Sequence, residues 1–166
     1  MTYFMALPVL GLSLLLQIGI ISRVNLLSGN ADLFLAILVS WSLQSRVRSA
    51  WFWAVFAGLL VGYVSALPWY LVLAGYLVTI GASFLIKQRI WQSLLLEVFI
   101  LIIFGTLMTH ILSIAYLVVS GSDINLIEVL SMITLPSILL NLILIIPVNY
   151  LIRNLSTWIH PEEVIE

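Results

Sequence analysis

Apolar residues run along this chain in long blocks, and the few charged residues mark where each block stops. A helix crossing about 30 Å of hydrocarbon needs roughly 20 apolar residues, so the blocks read as membrane helices. The first runs from Tyr3 to Ser22 and stops at Arg23. A short block, Leu33 to Ser45, lies between Asp32 and Arg46. The stretch from Ser49 to Ile86 carries no charge and is long enough for two helices. Leu67-Pro68 is the break within it, because Pro lacks an N–H and disfavours helix at the residue before it. A fifth block follows Glu97 to about Ser120, ahead of a Gly121-Ser122-Asp123 turn. The last, Val129 to Ile152, ends at Arg153. The pattern predicts an all-α polytopic membrane protein with six transmembrane helices. The second is short, and reads as a short or tilted span or a re-entrant segment. Residues 1–153 form one six-helix transmembrane domain, followed by a short cytoplasmic tail, 154–166.

The loops fit this count. With the N-terminus in the cytoplasm, inner loops hold Arg46, Arg48, Lys87, Arg89 and Arg153, whereas Arg23 alone lies outside, with Asp32, Asp123 and Glu128. Cytoplasmic loops are enriched in Lys and Arg, so both termini are expected inside. The first block lacks the basic start and the small-residue cleavage site of a signal peptide.

Composition supports the class. Charged residues make up 8% and hydrophobic ones 63%, against about 25% and 45–50% in soluble domains. A net charge of -1 offers no basic face for nucleic acid. Without cysteine there is no thiolate metal site and no Cys nucleophile.

Small residues in membrane helices let backbones approach closely. Ala50, Ala54, Gly58, Gly62 and Ala66 recur every four positions and form a seam on the third helix. Gly75, Thr79 and Ser83, then Gly105, Thr109 and Ser113, repeat the device on the next two. Each seam packs the bundle internally or, for the third helix, docks a partner's helix. The six tryptophans, Trp41, Trp51, Trp53, Trp69, Trp91 and Trp158, fall near helix ends, as in an interfacial aromatic belt.

Candidate chemistry is sparse. Glu97 and His110 are thirteen residues apart, about 20 Å along a helix, so they do not pair within one. His110 reads as a hydrogen-bonded neutral side chain or, less simply, a proton relay. On the sixth helix Pro136 and Pro147 each remove a backbone hydrogen bond and should bend it. Thr134, Ser137, Asn141 and Asn149 share one stripe there, expected to face the bundle or a companion helix. No phosphate loop, H-E-x-x-H or G-x-S-x-G is present. The inventory argues against an enzyme, and no cofactor or metal is implied.

The order of segments resembles the bacterial rod shape-determining protein MreD family over nearly the whole chain. The stretches that carry the resemblance are Leu14-Leu15-Leu16-Gln17-Ile18-Gly19, Ala31-Asp32-Leu33-Phe34-Leu35, Arg46-Val47-Arg48 and Phe56 to Ser65 with Pro68. They continue at the end with Leu135-Pro136-Ser137-Ile138-Leu139-Leu140-Asn141, Ile146-Pro147 and Tyr150-Leu151-Ile152-Arg153. Where the family often has Pro, this chain has Ala31, and where it often has an acid, this chain has Gly62 and Tyr63. Asp32, Pro136, Asn141 and Pro147 match by position. The resemblance implies a non-enzymatic subunit of the cell-elongation complex that docks MreC. It also implies association with a SEDS-type glycosyltransferase and a class B penicillin-binding protein, and indirectly with the MreB filament, in lateral peptidoglycan synthesis. It further implies a fold like that of the substrate-binding component of energy-coupling-factor transporters.

The competing expectation is a substrate-capture subunit of a vitamin-type transporter. That function wants an outward pocket with convergent polar and aromatic groups. The outer half here offers Asn30, Asp32, Tyr116, Asp123 and Asn125, mostly in loops. An A-x-x-x-A docking pattern is missing from the first helix, where Ala6 is followed four residues later by Leu10.

Overall fold

The computed structural model describes residues 2–44, 49–88 and 94–159. Arg46, Arg48, Arg89, Trp91 and the tail from residue 160 lie outside the described residues, and with them much of the inner-loop charge pattern.

The chain is all-α apart from one small hairpin. Helix α1 spans Thr2–Gly19 and is followed by a short 3-10 turn, Ile21–Arg23. Strands β1 (Asn25–Leu26) and β2 (Gly29–Asn30) pair antiparallel, turning at Leu27, whose φ is 55°. Helices α2 (Leu33–Ser42), α3 (Ala50–Val64), α4 (Trp69–Gln88) and α5 (Leu94–Val119) follow. A short α6, Leu126–Val129, runs through one π-helical turn, Leu130–Thr134, into α7, Leu135–Ile159. Four helical segments are long and apolar enough to cross a membrane: Met5–Arg23, Trp69–Lys87, Leu95–Val119 and Leu126–Trp158. Helices α2 and α3 are apolar but shorter. At 1.5 Å per residue they reach only about 15 and 22 Å. Helix α7 continues to Ile159, so residues 154–159 are helical.

Why the ends fall where they do is legible locally. Ser65 accepts a bond from Leu67 N–H at 3.1 Å, closing the α3–α4 turn ahead of Pro68. Helix α5 ends on Gly121, whose φ is +82°. Ser122 N–H reaches back to Leu117 O and Gly121 N–H to Val118 O. That is the double capping a left-handed glycine permits. Asn125 then caps α6 through Ile127 N–H.

Helix α2 is the axis of the fold. All ten of its residues are buried, and α1, α3, α4, α5 and α7 pack around it. A helix apolar on every side has this central place available to it. At its far end Trp41 stacks on Trp53, with ring centroids 4.5 Å apart. Both rings are fully buried, so these two belong to the core and not to an aromatic belt. Trp51, Trp69 and Trp158 are exposed.

The small-residue seams pack helices of this chain together. A Cβ on Gly58 would lie 2.8 Å from Leu73 Cα, and one on Gly62 2.7 Å from Trp69 Cα. The α3 seam is therefore occupied by α4, the internal packing that was one of its two expected roles. Gly75 meets Thr109 in the same way, and Gly105 meets Thr79 and Leu35, so the seams of α4 and α5 face each other.

Candidate functional site

The segment between α1 and α2 stays largely exposed but packs one edge onto the bundle, where Gly29 and Ala31 are buried. Backbone polar groups outside a regular ladder need other partners, and here the partners are identifiable one by one. Ser28 N–H donates to Met132 O at 3.0 Å. Asn30 N–H donates to Ser137 Oγ at 3.0 Å, and Asp32 N–H to Asn141 Oδ1 at 2.7 Å. Every second N–H thus faces α7 and the π-turn before it. Alternate residues of an extended chain are about 6.6–6.8 Å apart, and four residues of a helix rise about 6 Å, so strand and helix keep step. Gly29 makes the approach possible: a Cβ there would lie 2.7 Å from Pro136 Cβ and 2.7 Å from Ser137 N.

The opposite side of the segment is held by α1. Gln17 donates from Nε2 to Ala31 O and accepts Leu33 N–H on Oε1, both at 2.9 Å. One amide thereby serves both a donor and an acceptor of the docked backbone. The helix start is then closed by Asp32, which accepts Leu35 N–H at 2.9 Å as an N-cap.

Asp32 also joins α4. The Tyr76 hydroxyl donates to its two carboxylate oxygens at 2.8 and 3.0 Å. Asn141 continues the chain of bonds: its Nδ2 donates to Thr106 Oγ1 at 2.9 Å, and Thr106 donates to Ile102 O at 2.8 Å. Tyr76, Thr106 and Asn141 are buried. The cluster therefore ties α1, α2, α4, α5 and α7 at one point. Its chemistry is that of a brace, since each polar atom named is engaged with another group of the fold.

The residues singled out in the sequence separate into three groups. Asp32, Asn141 and Pro136 meet in this cluster. Gly58 and Gly62 lie on the α3–α4 contact. Pro147 is exposed on α7, away from both, and α7 remains α-helical through it. Thr134, Ser137, Asn141 and Asn149 are all buried, so the stripe faces the bundle. His110 Nδ1 lies 3.0 Å from Thr134 Oγ1, a bond that ties α5 to the π-turn. Glu97 is buried, and Lys87 donates to Gln44 O.

Gly29, Tyr76 and Thr106 were not apparent in the sequence. Tyr76 carried a faint signal, being a tyrosine well inside a span rather than at its end. Among the described residues no three His, Asp or Glu side chains gather as a metal site would require.

Comparison with known proteins adds no relative: no family model matches, and no curated protein or solved structure matches either.

Proposed function

We propose that this chain is a non-catalytic integral-membrane subunit of the bacterial cell-elongation complex, acting as proteins of the MreD family do. In this role it crosses the cytoplasmic membrane six times, with the short α2 as the second crossing and both termini in the cytoplasm. It docks MreC, whose single transmembrane helix carries a large outer domain. Through that assembly it supports a SEDS-type glycosyltransferase and a class B penicillin-binding protein in lateral peptidoglycan synthesis, with the MreB filament as an indirect partner.

The supporting observation is the Asp32–Asn141 bond. These positions belong to two widely separated stretches of the resemblance, 109 residues apart in sequence, yet the Asp32 nitrogen and Asn141 Oδ1 are 2.7 Å apart in space. Pro136 belongs to the same contact, against Gly29. The cluster's bonding is spent on architecture, as a scaffold needs, and a rigid bundle presents its outer helix faces for contact. With the α3 seam taken by α4, those faces are the exposed ones. Helix α1 is foremost, since its span is 17% buried against 28% for the other three long spans.

The test is native mass spectrometry of the tagged protein, extracted gently from its own membranes. A bound single-span protein with a large outer domain is the expected result. A bound ATPase module or a tightly held metabolite would overturn it in favour of a transport subunit.

A further inference from the structure

Helix α1 leaves a cleft against α3 at the hairpin end of the bundle, and the cleft has two connected parts. One, of about 560 Å3, is rimmed by Ser22, Asn25, Asn30 and Ser65. The other, of about 320 Å3, continues along Phe56 and Leu60 and is almost wholly apolar. Leu14 and Val64 line both parts and join them. The β-hairpin pairs Asn25 directly with Asn30, so two amides stand side by side at the rim.

We propose that this cleft holds one phospholipid with a zwitterionic head, its head on the Asn25–Asn30 rim and one acyl chain along Phe56 and Leu60. The polarity of the lining changes from amide and hydroxyl to hydrocarbon over the length of the cleft, as it does along a lipid molecule. The lining residues carry no charge. A head that both donates and accepts hydrogen bonds suits amides, which do the same. The Asn and Ser side chains of the polar part offer hydrogen bonds that a lipid head uses and the apolar flank of a transmembrane helix does not. The site adjoins the Asp32 cluster through Gln17 and Asn30 and does not rest on the elongation-complex proposal.

The test is native mass spectrometry of the purified full chain in detergent micelles doped with dioleoylphosphatidylethanolamine. The wild-type protein is expected to keep one lipid at energies that strip away the detergent. Val64→Trp fills the junction of the two parts. Asn25→Ala combined with Asn30→Ala removes the rim amides and leaves the apolar part intact. Each variant is expected to lower retention about fivefold or more, the equivalent of one hydrogen bond's net worth. All three positions are exposed, and melting temperature checks that each variant is folded. Should Val64→Trp fail to fold, the Asn pair alone decides. No lipid on the wild type, or unchanged retention in a folded variant, overturns the proposal. So does a co-purifying protein that Val64→Trp releases in place of the lipid.

Discussion

Ser28 donates its backbone N–H to the carbonyl of Met132 at 3.0 Å, and Met132 is the residue whose carbonyl Pro136, four positions later, has no N–H to claim. The proline thus opens an acceptor on the side of the helix where the hairpin arrives. The helix is already widened there, since Leu135 N–H bonds to Leu130 O, five residues back, the signature of a π-bulge. Proline and bulge together make one face of a helix behave as a partner for an extended strand.

Pro136→Ala should restore the competing N–H and loosen the hairpin. Hydrogen exchange at residues 25–32 is expected to quicken severalfold. Global stability should change little, because regained helix propensity offsets a lost bond of about 1 kcal/mol. Unchanged exchange in that segment would argue that the Met132 carbonyl is not what holds it.

Gly29→Ala sets a Cβ against Pro136 Cβ and the Ser137 backbone at 2.7 Å, where neither neighbour is a flexible chain end. A cost of about 1–3 kcal/mol follows from overpacking. Gly11→Ala is the matched control, since a Cβ there meets nothing within 4 Å; it should be neutral or stabilising by up to about 1 kcal/mol. Thermal unfolding of both variants in detergent makes the comparison.

Tyr76→Phe removes two contacts to Asp32, and Asn141→Leu removes one bond to the hairpin and one to α5. Polar bonds between membrane helices average about 0.6 kcal/mol and reach about 1.7. Tyr76→Phe, which removes a single hydroxyl proton shared by two oxygens, should therefore lose about 0.6–1.7 kcal/mol, and Asn141→Leu, which removes two bonds, about 1–3 kcal/mol. Asp32→Ala should lose more than Tyr76→Phe, because the α2 N-cap goes with it, at about 1 kcal/mol. A double-mutant cycle on Asp32 and Tyr76 that returns no coupling would remove this bond from the account.

Gly62→Leu should unfold or destabilise the α3–α4 pair itself, since its added side chain meets Trp69 backbone. Any partner is then lost together with the fold, read as a parallel drop in melting temperature and in recovery. Loss of a partner from a variant that melts like the wild type would return the seam to the role of a docking surface.

The helical blocks were legible because their signals are local: charge at the ends, proline at Leu67-Pro68, glycine at Gly121. The seams were legible as small-residue faces, but which helix fills each one depends on the arrangement of the bundle, and spacing within one helix carries no trace of it. Asn141 and Asp32 could be picked out as polar groups needing partners. That they partner each other could not be derived from composition or spacing. The docked hairpin was the least visible part. Gln17 in an apolar helix was its best trace, and its other bonds use backbone groups that every residue possesses. Trp41 and Trp53 sit near helix ends like interfacial residues, yet α2 is so short that its end falls inside the core.

The bracing of α2 also constrains the order in which the protein is made. Asn30 and Asp32 bond to residues 107 and 109 positions further along the chain. When α1 to α5 have left the ribosome, the backbone that leads into α2 still lacks its acceptors on α7. Chains are synthesised from the N-terminus at about 5–20 residues per second, so this segment waits several seconds in a partly satisfied state, in contact with water or with the insertion machinery. Its docking onto α7 is therefore a late event of assembly, and a chain that stops short of α7 leaves the start of the second helix without these bonds.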